Sequence, residues 1–375
     1  MATAASCTIF DPAIPRSDSA FFAALSGLRE RVAAAPFGGA LRSLDWAAGD
    51  GRAFAYAVGI PVNNEAERLP GVLAALSRAA TRVEGRGLFV FVVNDTQDSS
   101  RRLIARWAAG TGVAHLLLDL SFAPAARNAP HARRLALDIA HACAPAAALL
   151  TTDADTSVGP GWIADNLAEL ARGAALVCGS IGFDEAELRL LPAHVRAIGA
   201  AEDEYFAATE TLWRIWAGAG ANPLNIRPWG ASLGIAPAAY AALGGLPTPV
   251  AGEERALCAL MRQHGLPVVQ MPAQDTISSA RQAGRAAKGC GETLRQRALA
   301  VDPPCDDMLL TLGGLRHLAG VWNALEAGPD RPRLFALYRE RWSRGAAPLH
   351  HRALLAELER ARREIDLLLP HRAVA

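Results

Sequence analysis

The chain has 375 residues, 51% of them hydrophobic and 20% charged, and its 38 basic and 37 acidic side chains leave a net charge of +1. This composition excludes a disordered chain, and the balanced charge gives no electrostatic case for nucleic acid or an anionic membrane as partner. Six cysteines stand scattered without a CxxC pair, so free thiols are expected rather than a disulfide framework or a zinc site. Met1–Asp11 has neither the basic flank nor the continuous apolar core of a signal peptide. No stretch reaches about 18 uninterrupted apolar residues, so a cytoplasmic protein without a transmembrane segment is expected. At about 150 residues per domain, the length suits two domains or one large domain with an appendage.

Residues 1–52 carry a weak helical pattern (Phe21, Phe22, Leu25, Leu28, Val32) and no polar cluster that points to chemistry, so they form an expected N-terminal extension. Phe54–Val62 then has the composition of a buried strand. It is followed by the polar turn Asn63-Asn64-Glu65 and by a helix with Leu69, Val72, Leu73, Leu76 and Ala80 on one face. Leu88–Val93 is apolar on both faces and leads into Asn94-Asp95-Thr96 and a helix through Leu103, Ile104 and Trp107. The alternation continues with a strand at Val113–Leu118, a helix at Ala132–Cys143, a strand at Ala147–Thr152, a helix at Trp162–Arg172 and a strand at Ala175–Gly179. Buried strands alternating with helices predict an α/β protein with a parallel sheet. Ligands bind such sheets beyond the strand ends, so the three polar turns are expected to converge.

The third of those turns is Thr152-Asp153-Ala154-Asp155. Two carboxylates one residue apart at the end of an apolar strand can present oxygens to one hard cation, magnesium or manganese, which keeps open positions for phosphate oxygens. Past Phe183 the rhythm changes to a long helix over Val195–Trp216 and a Gly/Pro-rich loop over Gly218–Pro228. Trp229-Gly230-Ala231-Ser232 follows, small residues beside which a ligand can approach the backbone closely, with Trp229 either in the core or stacked on a sugar ring. Glu253 and Glu254 open a helix where the macrodipole favours acidic groups. A strand at Pro267–Met271 precedes the loop Ser278–Arg285, whose Arg281 and Arg285 suit phosphates. After Pro303-Pro304, helices over Met308–Glu326, Leu334–Arg341 and Ala353–Leu368 have apolar faces expected to pack on the body or on a second copy, as a homo-oligomer.

Taken together, several motifs resemble family 2 glycosyltransferases over residues 53–300. They are Ile60-Pro61-Val62-Asn63-Asn64-Glu65, Val93-Asn94-Asp95, Thr152-Asp153-Ala154-Asp155 with Gly161-Trp162, Gly230-Ala231-Ser232-Leu233-Gly234, and Gly252-Glu253-Glu254-Arg255-Ala256-Leu257. The resemblance implies a GT-A fold: a Rossmann-like α/β domain with a mixed, mostly parallel sheet and flanking helices. It comprises a nucleotide-sugar-binding half at 53–183 and an acceptor half at 184–300, and a helical C-terminal appendage follows at 301–375. It implies that Val62, Asn63 and Glu65 lie near the nucleobase and ribose and that Asp95 hydrogen-bonds the base. Asp153 and Asp155 are implied to hold Mn2+ or Mg2+, with Ala154 against the donor. Arg133 resembles the family arginine that contacts the donor near its diphosphate, although Ala129-Pro130-His131 replaces the glycines that usually precede it. Trp229, Gly230, Ala231 and Ser232 fall on the acceptor side. Members of this kind often carry Glu-Asp ahead of Arg-Ala-Leu, the aspartate serving as base in inverting enzymes. This chain has Glu253-Glu254, so Glu254 is the expected base and Glu253 the second candidate.

The expected reaction is transfer of a sugar from a nucleoside-diphosphate sugar to an acceptor hydroxyl, with inversion. Arg281 and Arg285 would stabilise the departing diphosphate or bind an acidic acceptor. A sugar-phosphate nucleotidyltransferase is a rival reading, but it wants a glycine-rich, Lys/Arg-bearing loop after the first strand, and Asn63-Asn64-Glu65-Ala66-Glu67 offers none. A degenerate GT-A domain that binds a nucleotide or a partner without turnover is the non-enzyme alternative.

Overall fold

The computed structural model describes residues 19–49, 51–218, 221–282, 289–344 and 347–369. Helices α1 (Ser19–Ser26) and α2 (Leu28–Ala33) and strand β1 (Ala40–Ala47) precede an alternating series: β2 (Phe54–Val62), α3 (Leu69–Ala80), β3 (Arg86–Asn94), α4 (Ser100–Thr111), β4 (Ala114–Ser121), α5 (Ala129–Cys143) and β5 (Ala148–Thr151). The series goes on with β6 (Thr156–Ser157), α6 (Trp162–Ala171), β7 (Leu176–Phe183), α7 (Glu185–Leu190), α8 (Ala193–Ala217), β8 (Leu233–Ile235), α9 (Pro237–Ala242), α10 (Glu253–Gln263) and β9 (Val268–Ser278). Four helices finish it: α11 (Cys290–Leu299), α12 (Leu312–Ala324), α13 (Arg331–Ser343) and α14 (His351–Leu368).

All nine strands among the described residues join one sheet, in the order β1-β4-β3-β2-β5-β8-β7-β9-β6. Strands β4, β3, β2 and β5 are mutually parallel, and β1 adds antiparallel to β4. Beyond β5 the sheet is mixed: β8 is antiparallel to both β5 and β7, β9 is parallel to β7, and β6 is antiparallel to β9. In the parallel block the chain builds outward from β2 through β3 to β4, then returns to place β5 on the other side of β2. That reversal is the crevice-forming switch point of a Rossmann-like half.

Strand periodicity sorts the core into two layers. Leu88, Val90 and Val92 share one face with Leu116, Leu118 and Leu120 under α5, while Phe89, Phe91 and Val93 share the other with Val58, Ile60 and the α3 residues Leu73 and Leu76. Gly59 sits where α5 crosses β2, and a Cβ there would lie 3.2 Å from the backbone carbonyl carbon of Ala136. The helix can therefore approach closely, which brings its first turn over the switch point.

Strand β1 differs from the helical extension expected for residues 1–52. Its residues Ala40-Leu41-Arg42-Ser43-Leu44-Asp45-Trp46-Ala47 are largely exposed or half-buried at the sheet edge, so no buried alternation marks them in the sequence. The C-terminal helices bury their apolar faces on the body, as one of the two expected arrangements has it. Leu315, Leu318 and Trp322 of α12, Phe335 of α13, and Leu354 and Leu358 of α14 form a second core with Tyr205, Leu212 and Trp213 of α8. Among the described residues no helix is long and apolar enough to cross a membrane.

Candidate active site

The ends of β2, β3 and β5 are stitched together by side chains that leave the ladders. Asn63 donates from Nδ2 to the Asn94 carbonyl at 2.7 Å, and the Gln97 amide donates to Asn64 Oδ1 at 2.8 Å. Asn64 and Asp95 both have left-handed backbones, at φ 54° and 49°, a conformation that Asn and Asp tolerate better than most residues. The Glu65 amide donates to Ser100 Oγ at 2.9 Å, so the turn after β2 rests on the start of α4. Val62 is buried beneath it. Asp95 accepts from the Phe122 amide at 3.3 Å and faces Arg127 Nε at 3.5 Å. Asn63, Glu65 and Asp95 thus share one rim, and Asp95 also ties that rim to the loop after β4.

Strand β5 delivers the acidic pair. Thr151 and Thr152 are fully buried and anchor the strand end: Thr151 Oγ1 donates to the Gly59 carbonyl at 2.7 Å and Thr152 Oγ1 to the Ala231 carbonyl at 2.8 Å. Ala154 is buried, while the Asp153 and Asp155 side chains remain 34% and 20% exposed. Burial, then the neighbouring Asp153, pushes the Asp155 carboxyl up to about 7. Two crowded carboxylates are a site that a cation relieves.

Arg133 is the hub beneath the pair. Its helix begins with the Asn128 cap, whose Oδ1 accepts from the His131 amide at 3.0 Å, and the guanidinium points from that first turn into the sheet. It donates to Asp153 Oδ1 at 2.6 Å, Glu253 Oε1 at 2.9 Å, Thr151 Oγ1 at 3.0 Å and the Gly230 carbonyl at 2.7 Å. Burial alone would lower its pKa, but Asp153 and Glu253 more than reverse that and hold it charged. It is buried, at 3% exposed. Arg133, implied to contact the donor, is thus placed between the acidic pair and the start of α10, where it bonds Asp153 and Glu253. Gly230 makes the arrangement possible, since a Cβ there would lie 2.8 Å from Arg133 Nη2.

Glu253 is buried against Arg133, whereas Glu254 is half-buried. Burial, followed by the charge of Glu253, raises the Glu254 carboxyl from an ordinary 4.5 to about 7. A carboxylate poised near neutrality is suited to take a proton. The next residue, Arg255, pairs with Asp306 at 3.1 Å and with Asp307, which ties this helix start to the segment leading into α12.

The remaining expected residues divide between lining and support. Trp229 is partly exposed and meets Phe183 edge-on at 6.2 Å, with the Arg227 guanidinium 5.6 Å from its ring centre. Ala231 is buried, and Ser232 is fully buried, where its Oγ accepts from Trp162 Nε1 at 2.9 Å. The Ala231 carbonyl also accepts from Thr152, so both residues brace the end of β5 and the start of α6. Arg281 donates to Asp155 Oδ2 at 3.0 Å and to both oxygens of Glu65, one at 2.8 Å. Arg285 lies outside the described residues. Sequence reasoning missed Glu187. Its carboxylate accepts from Ser279 Oγ at 2.8 Å and from the Ala280 amide at 2.6 Å, and it pairs with Arg68, anchoring the segment that carries Arg281. Nothing in the helical pattern of α7 marks it. Beside this segment, Arg68, Asp155, Ser157, Asp184 and Ser279 help line a cavity of about 220 Å³.

Among the described residues no group of three or more His, Cys, Asp or Glu converges as a metal site. The donor set still suits magnesium or manganese, which take hard oxygen ligands and commonly bind through one or two carboxylates while keeping waters and substrate phosphates. Asp153 and Asp155 are such a pair.

No protein-family model matches the chain, and no curated relative does. Among solved structures, the chain is similar to a mannosyltransferase from Pyrobaculum calidifontis in complex with GDP-Man and Mn2+. The two are 18% identical over 94% of this chain and 85% of that one, with a TM-score of 0.48. It is also similar to TarS from S. aureus in complex with UDP-GlcNAc, at 10% identity over 76% and 70% with a TM-score of 0.44. A third likeness is to glucosyl-3-phosphoglycerate synthase from Mycobacterium tuberculosis in complex with Mn2+, UDP and glucosyl-3-phosphoglycerate, at 15% identity over 65% and 77% with a TM-score of 0.38. At such values the strand order described above carries the fold, not these likenesses.

Proposed function

We propose that the chain is a GT-A glycosyltransferase, family 2-like, that moves a sugar from a nucleoside-diphosphate sugar to an acceptor hydroxyl with inversion at the anomeric carbon. The observation that carries this reading is the link made by Arg133. It couples a half-buried acidic pair at the switch point of the sheet to the start of α10, where burial and Glu253 raise the Glu254 carboxyl to about 7. One carboxylate pair suits the leaving diphosphate and another carboxylate suits proton removal, as displacement by a hydroxyl requires.

The nucleoside lies along Val62, Asn63 and Asp95, whose side-chain and backbone groups sit on the rim formed by the first two strand ends. Asp153 and Asp155 would hold a divalent ion, Mn2+ or Mg2+, which would supply charge neutralisation for the diphosphate. Arg133 keeps Asp153 in place from below. The acceptor enters on the side of Trp229 and Gly230, where the partly exposed indole offers a stacking face for a sugar ring. Glu254 accepts the acceptor's hydroxyl proton as that oxygen attacks the anomeric carbon. The bond from that carbon to the diphosphate oxygen breaks, and the electron pair leaves with the diphosphate. Glu253 raises the proton affinity of Glu254 and stays paired to Arg133.

A second reading is favoured by one observation: arginines already hold both aspartates, Arg133 on Asp153 and Arg281 on Asp155. A nucleotide-binding domain without turnover would tolerate that arrangement permanently. Incubation with UDP- and GDP-sugars and Mn2+ separates the two readings. Release of UDP or GDP that depends on Glu254 supports transfer, and nucleotide binding without any release from any donor supports the inert domain.

A further inference from the structure

The two arginines on the acidic pair are held very differently. Arg133 is 3% exposed, belongs to a core helix and is satisfied by four partners. Arg281 lies beyond the end of β9, its side chain is 20% exposed, and among the described residues it pairs with carboxylates: Glu65 from the turn after β2, and Asp155. Behind it the backbone is pinned. Ser278 Oγ accepts from Thr156 Oγ1 at 2.9 Å, and Glu187 accepts from Ser279 and Ala280. The anchor reaches the Arg281 amide, which donates to Ser279 Oγ at 3.3 Å, but acts on the backbone, so the Arg281 side chain can turn while the segment stays docked.

We propose that Arg281 is a resident counter-cation that occupies the place of the divalent ion on Asp155, so that metal binding and the turning of this side chain are one exchange. A guanidinium bidentate on Glu65 and 3.0 Å from Asp155 Oδ2 satisfies an oxygen that an incoming ion must engage. A divalent cation on the same carboxylate would stand beside a like charge, and two cations cannot share that oxygen cheaply. Glu65 keeps a grip on Arg281 only while no better acceptor is near. A diphosphate carries more negative charge than one carboxylate and offers pairs of oxygens that a guanidinium can bind bidentately, and on the proposed reading it arrives at the same place. Arg281 therefore opposes the metal alone and favours the metal together with a nucleoside diphosphate. This coupling suppresses a metal-loaded site without donor, because a ligand shifts an equilibrium only by its differential affinity for the two states.

The inference rests on the reading that Asp153 and Asp155 hold a divalent ion, and the test separates the two failures. Mn2+ binding to the full chain is followed by electron paramagnetic resonance without nucleotide, and UDP and GDP binding by calorimetry at saturating Mn2+. Wild type is compared with Arg281→Gln, Arg281→Lys and Asp153→Asn, each checked for folding by circular dichroism. Arg281→Gln should bind Mn2+ alone about five- to tenfold more tightly, yet bind the nucleoside diphosphate with Mn2+ about tenfold more weakly, a range typical of coupled sites. Arg281→Lys should lie between wild type and Arg281→Gln in both measurements. Opposite signs are the signature, since a residue that merely props up the site would weaken both. Equal or weaker Mn2+ binding in Arg281→Gln, with Asp153→Asn still abolishing it, overturns the exchange and leaves the metal site standing. Absence of Mn2+ binding in both wild type and Arg281→Gln, or binding untouched by Asp153→Asn, overturns the metal reading and the exchange with it.

Discussion

Replacing Glu254 by glutamine removes one titratable group from a half-buried position and keeps its shape. In the folded chain burial and Glu253 raise that carboxyl from an ordinary 4.5 to about 7, so the fold binds its proton more tightly than the unfolded chain does. A group with a raised folded value contributes its full stability below the unfolded pKa and loses it as pH rises through the folded one. Wild type should therefore lose stability between about pH 4.5 and 7 from this group, while Glu254→Gln should not. At about 1.4 kcal/mol per unit, the shift sets an upper limit of about 3.5 kcal/mol, reduced by the partial exposure of the side chain. Urea denaturation of both proteins at pH 4.5 and 8 gives the comparison: near-equal stability at the lower pH, and the variant more stable at the higher. In activity the same change should cost about 10²–10⁴ in kcat and erase the rise of kcat/KM with pH near 7, with nucleotide binding retained. A variant that turns over normally and gains nothing at pH 8 would refute the reasoning on both counts.

Two further substitutions probe the hub. Arg133→Met leaves buried Glu253 without its ion-pair partner and should destabilise the chain by about 3–5 kcal/mol in urea unfolding, as loss of one member of a buried ion pair does. Gly230→Ala places a Cβ 2.8 Å from Arg133 Nη2. Because that guanidinium has no free direction to move, the change should cost about 1–3 kcal/mol and weaken Mn2+-dependent nucleotide binding in a calorimetric titration.

The parallel half was largely legible in the sequence. Phe54–Val62 and Leu88–Val93 are continuous apolar runs that end in polar turns, and burial on both faces of a strand leaves that pattern. Strand β1 was not legible, because an edge strand with Arg42, Ser43 and Asp45 satisfies itself through backbone pairing to β4 instead of through a buried stripe. In the site, the acidic residues were visible as types at strand and helix ends. Their arrangement was not. The bond from Arg133 to Glu253 spans 120 residues and that from Arg281 to Glu65 spans 216, and no local periodicity encodes which arginine meets which carboxylate. An arginine in the first turn of α5 has the same sequence pattern whether it faces solvent, a phosphate or, as here, the underside of the acidic pair. Ser232 shows the same limit: a small residue in a glycine-rich run can admit a ligand, but this one caps the indole of Trp162.

The central claim is that Asp153 and Asp155 bind a nucleoside diphosphate through a divalent ion at the switch point of the sheet. Calorimetric titration of UDP and GDP into wild type and Asp153→Ala, each with and without Mn2+, tests it most directly. The account predicts that at least one of the two nucleotides binds wild type more tightly with Mn2+ than without, and that Asp153→Ala removes the Mn2+ dependence while remaining folded. Binding of neither nucleotide, or binding indifferent to Mn2+ and to Asp153, would contradict it.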